Sequence, residues 1–241
     1  MCFTSPPYNM GNKGDHWQGI KNIAMNGGNA YRNDIDCKSD AEYGAMLAAS
    51  LGNALSHADD AMFNVGILSG SKAGVVSMLE AHKDRFFEIV AWCKATAMPL
   101  GMRSQKGMVS HRFEPVFCFN QDGLRRFSHP QWEVGHGSNV VESDKNNVNE
   151  FAAVHNAAFP VEFAAEVVRN FTEASVLDLF GGTGTTMMAA EQLGRTCYTM
   201  DIDPRYVDVM LRRWEDHTGG KAVLVDSEQA PVADGTGDFG T

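Results

Sequence analysis

The sequence lacks several features that would assign it to other classes of protein. None of its 241 residues belongs to an apolar run long enough to cross a bilayer. Its first residues contain no basic start followed by an apolar stretch, so a secretory signal peptide is not expected. The five cysteines are widely spaced and form no CxxC pair. We therefore expect no metal site, no disulfide framework and a reducing, cytoplasmic setting.

Positive charge is also scarce, since 20 Lys and Arg residues face 30 Asp and Glu residues and the formal net charge is -10. Such an average argues against a nucleic-acid partner. The segment 94–126, called the basic segment below, departs from it. Six of its residues are Lys or Arg, against only Glu114 and Asp122. This segment predicts either a surface that contacts a nucleic-acid backbone or an ordinary solvated face.

The spacing of apolar residues predicts an alternation of helices and strands. Helices are predicted over 41–57, 75–85, 159–171, 184–193 and 206–214, and strands over 60–68, 86–92, 114–119, 174–180 and 196–200. Residues 9–40 are expected to form a long loop, 127–150 to be irregular, and 227–241 to be a disordered acidic tail. The closing strand–helix–strand–helix run predicts parallel strands with helices on the faces of the sheet.

Residues 178–185 read DLFGGTGT and are called the glycine loop below. Glycines after a strand let the backbone turn tightly and approach a ligand closely. Asp201 ends the next predicted strand, where its carboxylate can accept the hydroxyls of a ribose. A dinucleotide fingerprint would need a third glycine where Met187 stands, and no lysine of a phosphate loop is present. The pattern therefore favours a nucleoside-bearing cofactor without a phosphate chain, such as S-adenosylmethionine, over a plain strand-to-helix turn.

Residues 5–8 read Ser-Pro-Pro-Tyr and are called the catalytic loop below. Two prolines stiffen the backbone and remove two N–H donors, which leaves carbonyl acceptors, a serine oxygen and an aromatic ring. The Ser5 hydroxyl oxygen and the Pro6 carbonyl could accept both hydrogens of an exocyclic amine. They would draw its nitrogen toward a tetrahedral geometry and free its lone pair. Tyr8 could stack on a base that has left the duplex.

Together the two loops resemble the β group of the amino-methylating DNA methyltransferases. That family carries an (Asp/Asn/Ser)-Pro-Pro-(Tyr/Phe) loop and an Asp-x-Phe-x-Gly-x-Gly-Thr loop, in the order found here. Four further segments look like family segments: the His-x-x-x-Phe-Pro run at 155–160, the Gly-Arg…Asp…Pro-x-Tyr run at 194–206, Trp-x-Lys at 92–94 and Glu-x-Val-x-x-Phe at 114–119. The resemblance covers most of residues 4–214.

The resemblance implies a Rossmann-like, S-adenosylmethionine-dependent methyltransferase fold of the α/β class. Its sheet is expected to be mostly parallel and circularly permuted, with the catalytic half before the cofactor half. One domain is expected over 1–226, with a short target-recognition region at about 120–154. The implied activity is methyl transfer to cytosine N4 or adenine N6 of a flipped base in double-stranded DNA. A homodimer is among the assemblies that the sequence leaves open.

The residues expected to act follow from both loops and from the basic segment. The expected catalytic residues are Ser5, Pro6, Pro7 and Tyr8, the expected cofactor-binding residues are Phe159, Pro160, Asp178, Phe180, Gly181, Gly182, Gly184, Thr185 and Asp201, and the expected DNA-binding residues are Asn9, Lys94, Arg103, Lys106 and Arg112.

Other functions stay open at this level. Methyltransferases of RNA or of protein amides carry similar loops. The strand before Ser5 is cut to residues 1–4, which also fits a truncated relative that binds DNA or cofactor without turnover. Methylation of cytosine at carbon 5 would need a nucleophilic Cys after Pro, and the sequence has no such pair. Ser5 favours cytosine N4 slightly over adenine N6, and neither a recognition sequence nor a restriction partner can be read.

Overall fold

A computed structural model of the protein describes residues 1–9, 38–68, 70–94, 112–132, 137–143 and 159–225. The strands of this part of the chain are β1 (Cys2–Thr4), β2 (Asp60–Asn64), β3 (Phe86–Lys94), β4 (Phe113–Asn120), β5 (Val140–Ser143), β6 (Ser175–Asp178) and β7 (Thr196–Thr199). The helices of this part are α1 (Asp40–His57), α2 (Lys72–Ala81), α3 (Val161–Phe171), α4 (Thr185–Gln192) and α5 (Pro204–Thr218).

The seven described strands form one mixed sheet in the order β5-β3-β4-β2-β1-β6-β7. All neighbouring pairs are parallel except the two that involve β4. The predicted adjacent parallel strands near 176–180 and 196–200 are confirmed by β6 and β7, with Val176 opposite Cys197. The first strand of the chain thus lies beside β6, and the order with the catalytic half first is confirmed.

Helices cover both faces of the sheet because neighbouring strand residues point to opposite sides. Phe3 and Met62 pack under α3 and α4, together with Phe163 and Phe171. Cys2, Ala61, Phe63 and Phe117 pack on the other face, with Tyr43, Leu47 and Leu51 of α1 and with Val75 and Met78 of α2. Each face buries a continuous apolar cluster, so the α/β class expected from the sequence is confirmed.

Local signals fix where several helices begin. Ser39 starts α1 with a capping box, in which its hydroxyl accepts from the Glu42 amide and the Glu42 carboxylate accepts from the Ser39 amide. Asp203 caps α5, and Pro204 stands in its first turn. None of the helices within the described ranges is both long and apolar enough to cross a membrane.

The prediction of irregular structure over 127–150 is wrong at β5. This strand has only four residues and lies at the edge of the sheet beside β3. A segment so short has no readable period, and its pairing with Ala91 to Lys94 comes from the tertiary fold. The predicted acidic tail and most of the predicted long loop at 9–40 lie outside the described residues.

The side chains of Thr4 and Asp178 join the ends of β1 and β6. The Thr4 hydroxyl donates to the Asp178 carboxylate at 2.6 Å across 174 positions of sequence. The Phe180 amide donates to the same hydroxyl and to the same carboxylate oxygen, each at 3.1 Å. Thr4 and Asp178 are both buried. The catalytic loop follows Thr4 and the glycine loop begins at Asp178, so this contact joins the two loops at the edge where the parallel strands β1 and β6 both end.

Thr4→Val keeps the shape of the side chain and removes its hydroxyl. It should lower the free energy of unfolding by about 1.5–3 kcal/mol, because a buried carboxylate loses a donor. Urea unfolding at pH 7 measures this loss. Thr196→Val in the exposed part of β7 is the matched control and should change stability by less than about 0.5 kcal/mol. Equal effects of the two substitutions would contradict the assigned contact.

The loss should also depend on pH. Burial raises the pKa of Asp178, and the hydrogen bond from Thr4 opposes that rise by favouring the charged form. Thr4→Val should therefore raise this pKa further, so the variant binds a proton more readily when folded. The stability difference between wild type and variant should shrink as the pH falls through the titration of Asp178.

Candidate active site

The catalytic loop follows β1 at the edge of the sheet where the parallel strands have their carboxyl ends. Helix α1 anchors this loop. The Tyr43 hydroxyl donates to the Pro7 carbonyl at 2.6 Å. The ring of Tyr43 packs against the backbone of Gly74 on α2, where a Cβ would clash with it. Within the described residues no hydrogen bond reaches the Pro6 carbonyl. Of the two proline carbonyls, that of Pro7 is therefore used for anchoring.

Tyr8 is fixed by its hydroxyl and by the backbone below its ring. The hydroxyl lies 3.1 Å from Glu114 Oε2 and 3.3 Å from Asn64 Oδ1. A Cβ at Gly66 would lie 3.3 Å from Tyr8 Cε2, a tight contact to which the ring would have to adjust by a few tenths of an ångström. Burial raises the pKa of Tyr8 well above its ordinary value, the Glu114 charge adds to the rise, and the neighbouring Ser5 hydroxyl opposes it. Tyr8 therefore stays a neutral donor and cannot serve as a base near pH 7.

The glycine loop turns through backbone conformations that other residues rarely adopt. Gly182 has φ +52° and Gly184 has φ +79°, both in the left-handed region. A Cβ at Gly184 would lie 2.8 Å from Met210 Cγ, and one at Gly181 would clash with Thr199 Oγ1. Phe180 and Gly182 are half-buried at the turn, while Thr185 is buried and starts α4. These glycines leave a backbone cradle at the end of β6.

Asp201 lies just beyond β7 and faces this turn, as the sequence predicts. Its Oδ2 accepts from the Gly182 amide at 2.9 Å, and its Oδ1 accepts from the Asp203 amide at 2.9 Å. Burial raises the pKa of Asp201, against the opposing effect of these two amides. Each carboxylate oxygen has a second lone pair, so Asp201 can accept further hydrogen bonds from a ligand.

Helix α5 supplies two residues that the sequence patterns did not single out. Met210 packs against the loop at Gly181 and Gly184. The Arg213 guanidinium donates to the Thr183 carbonyl at 3.1 Å and lies 3.4 Å from the Thr185 hydroxyl. Both lie on α5 about one helical turn apart, at i and i+3, and that spacing is the only signal that could have found them.

The other residues predicted to bind cofactor have mainly packing contacts. Phe159 lies 5.4 Å from the Phe3 ring and 5.6 Å from the Phe163 ring, centroid to centroid. Pro160 is buried and precedes the first turn of α3. Asp178 holds Thr4, as described above. For these three residues, as for the glycine loop and Asp201, the role in cofactor binding stays a prediction.

The residues predicted to bind DNA are dispersed. Arg103 and Lys106 lie outside the described residues. Arg112 is exposed. Asn9 is buried, and its side-chain Nδ2 donates to the Lys38 and Gly70 carbonyls at 2.9 and 3.3 Å. Lys94 pairs with Glu114 and lies 4.6 Å above the Trp92 ring, which leaves only 16% of its side chain exposed.

The geometry of Asn9 and Lys94 supports structural roles, and their contact with DNA stays a prediction. The last two basic residues of the segment are also paired within the protein. Arg125 binds Glu88 at 2.7 Å, and Arg126 binds Asp122 at 2.7 Å. These pairs are exposed on the arginine side, so they are weak and leave the cations accessible.

Comparisons with known proteins agree with this geometry. A family model for N6/N4 methyltransferases, described as DNA methylase, matches residues 1–212. The type II methyltransferase M.MthZI of Methanothermobacter thermautotrophicus is 27% identical in an alignment of 165 residues, and the match covers 57% of this chain and 46% of that protein. The chain thus spans about half the length of this curated relative.

Solved structures share the fold. The PvuII DNA methyltransferase, described as cytosine-N4-specific, aligns with a TM-score of 0.61 and 19% identity over 89% of this chain and 79% of its own. The M1.HpyAVI–SAM complex aligns with a TM-score of 0.53 and 13% identity over 88% of this chain and 87% of its own. The Rossmann-like methyltransferase fold expected from the sequence is confirmed.

The glycine loop can be tested with two alanine substitutions at left-handed glycines. Gly194 has φ +64° and no atom near its Cβ position. Gly194→Ala should therefore lower the free energy of unfolding only by the cost of a left-handed backbone at alanine, about 1–2 kcal/mol. Gly184→Ala has the same backbone cost and also forces Met210 aside, so it should lower the free energy of unfolding by at least about 1 kcal/mol more. Urea unfolding of both variants measures the difference. Equal losses would mean that Met210 does not pack on the loop.

Proposed function

The chain belongs to the N6/N4 DNA methylase family, and from this premise we propose that it transfers a methyl group from S-adenosylmethionine to an exocyclic amine in DNA. The observation that carries the proposal is the buried contact of Thr4 with Asp178 and Phe180. It joins the Ser-Pro-Pro-Tyr loop to the glycine loop, although the two are far apart in sequence. An acceptor-rich loop and a nucleoside cradle at one edge of a sheet are what this reaction requires.

The cradle fits S-adenosylmethionine in shape and in chemistry. Gly182, in the left-handed region, offers a backbone without a side chain that a ligand can approach, while Gly181 and Gly184 let the turn pack closely on Thr199 and Met210. Asp201 offers carboxylate oxygens at the end of the adjacent strand, in reach of a ribose bound over the loop. When bound, S-adenosylmethionine supplies a methyl group activated by its sulfonium charge. The SAM complex of M1.HpyAVI, which shares the fold, supports this assignment.

The catalytic loop is proposed to prepare the amine for attack. The amine nitrogen is a poor nucleophile because its lone pair is delocalised into the base. Hydrogen bonds to Ser5 Oγ and to the Pro6 carbonyl would favour a tetrahedral nitrogen, and they strengthen as the reaction proceeds. The nitrogen–methyl bond forms as the sulfur–methyl bond breaks, and the amine then loses a proton to solvent. Since Tyr8 stays neutral, its proposed role is to stack on the flipped base.

Two features support DNA as the macromolecular substrate, in its double-stranded form. The first is the family itself. The second is the basic segment, where Arg112 is exposed and where Arg125 and Arg126 form only surface pairs. The remaining charge of the protein is acidic, so binding is expected to concentrate on this segment. The reaction would take place in the cytoplasm, where DNA is accessible and thiols stay reduced.

For the target base we favour cytosine N4 over adenine N6. Ser5 stands where many adenine methylases of this group carry Asp. The cytosine-N4-specific PvuII enzyme, which has the same fold, also supports this choice. RNA and protein amides are the alternative substrates, since similar loops act on them, and they are included in the test below.

The substrate class is tested by offering duplex DNA, RNA and protein separately, together with S-adenosylmethionine that carries a labelled methyl group. The label should be transferred to DNA alone.

Ser5→Ala tests the role of the catalytic loop. Ser5→Ala should lower kcat roughly ten- to hundredfold, because one acceptor is lost in the transition state. Its affinity for S-adenosylmethionine should not change. Ser56→Ala, in the exposed part of α1, is the control and should keep full activity. Full activity of Ser5→Ala would reject the proposed role of the loop.

Asp201→Ala tests the cofactor site. Losing a charge-assisted hydrogen bond costs about 1.5–3 kcal/mol, so affinity for S-adenosylmethionine should fall at least about tenfold. Isothermal calorimetry measures this, with Asp208→Ala on the exposed side of α5 as the control. Asp201→Asn keeps one acceptor and should lose less. If a folded Asp201→Ala variant binds the cofactor as tightly as wild type does, the carboxylate does not hold the ribose.

A further inference from the structure

Two neighbouring strands hold the hydroxyl of Tyr8. Asn64 ends β2, Glu114 lies near the start of β4, and both approach the hydroxyl, at 3.3 and 3.1 Å. The two strands are themselves paired there, with Asn64 opposite Val116, and the Asn64 side-chain Nδ2 donates to the Pro115 carbonyl at 3.3 Å. These two partners of Tyr8 therefore belong to the sheet, whereas its other neighbour, Ser5, belongs to the catalytic loop itself.

The Glu114 carboxylate uses both of its oxygens in this arrangement. Oε2 faces Tyr8, while Oε1 accepts from the Lys94 ammonium on β3. Glu114 and Lys94 are only 23% and 16% exposed, so water screens their attraction weakly. Lys94 also lies over the Trp92 ring, and that ring stacks on Phe163 at 4.4 Å between centroids. A carboxylate held on one side by a packed cation has a fixed direction on the other.

We infer that Glu114 is a positioning residue that, held by Lys94, fixes the ring of Tyr8 in the orientation needed to receive the target base. The inference rests on the proposed function, because it assigns the stacking role to Tyr8. A tyrosine ring turns about two side-chain bonds, and stacking requires that its plane be set before the base arrives. Gly66 supports the ring from below, and the hydroxyl contact prevents it from swinging away.

This inference also gives Lys94 a different use from the rest of the basic segment. The Lys94 ammonium already contacts the Glu114 carboxylate and the Trp92 ring, so the contribution of Lys94 to DNA affinity should be small. Loss of Lys94 should act through the catalytic loop, because it would leave the partly buried Glu114 charge without a cation beside it. The polar contacts Tyr8–Glu114 and Glu114–Lys94 thereby connect the catalytic loop to the end of β3. The basic segment begins there, at Lys94.

A double-mutant cycle with Tyr8→Phe and Glu114→Gln tests the inference. Both changes nearly keep the size of the side chain: Tyr8→Phe removes the hydroxyl, and Glu114→Gln removes the charge that faces Tyr8 and Lys94. Glu114→Gln should lower kcat for DNA methylation roughly tenfold. It should leave the affinity for S-adenosylmethionine unchanged. In the Tyr8→Phe background the same change should have little further effect, since the contact is already gone. Glu88→Gln on β3, which breaks the exposed pair with Arg125, is the matched control and should keep wild-type kcat.

If Glu114→Gln lowers kcat by the same factor in the wild-type and Tyr8→Phe backgrounds, the inference is overturned, because Glu114 then acts independently of Tyr8. The same cycle is measured by urea unfolding, which needs no activity, and it should be non-additive there as well. If the wild-type chain transfers no methyl group to DNA, the proposed function fails. The unfolding cycle then still decides whether Glu114 holds Tyr8, and additive unfolding energies would reject that contact.

Discussion

The hydrogen bond from Thr4 to the buried Asp178 carboxylate is the contact on which the site depends. It connects the first strand of the chain to a strand 174 positions later. Without it, the catalytic and glycine loops would be independent turns on neighbouring strands. The Phe180 amide completes the contact, so the start of the glycine loop is set by a residue that precedes Ser5. The permuted chain order works because adjacent parallel strands end at one edge, whatever their order in sequence.

Around this contact, each loop is oriented by a helix or a strand that carries no part of its motif. Tyr43 on α1 holds the Pro7 carbonyl, and Arg213 on α5 holds the Thr183 carbonyl. Asp201 draws the Gly182 amide toward the end of β7. Packed helices and strands therefore fix the direction of the donors and acceptors in the two loops. A site that is preorganised in this way does not have to be ordered at each turnover.

Local patterns predicted most of this fold. The glycine loop and the Ser-Pro-Pro-Tyr loop could be predicted because each is a run of residues adjacent in sequence, and Asp201 because it ends the strand that follows the glycine loop. The helices α1 and α3 could be predicted from their apolar residues. The partners that orient the loops could not be predicted. Tyr43 and Glu114 read as ordinary helix and strand residues, and Lys94 reads as a free cation until the register of β3 against β4 places it beside Glu114. Strand β5 was missed because only its pairing with β3 defines it.

The most direct test of the central claim is the chemical identity of the methylated base. DNA exposed to the protein and to S-adenosylmethionine can be digested to nucleosides and analysed by mass spectrometry. Transfer to an exocyclic amine predicts N4-methylcytosine or N6-methyladenine, with the first favoured by Ser5. The product 5-methylcytosine would contradict the account, because attack at ring carbon requires a nucleophile that the Ser-Pro-Pro-Tyr loop does not contain.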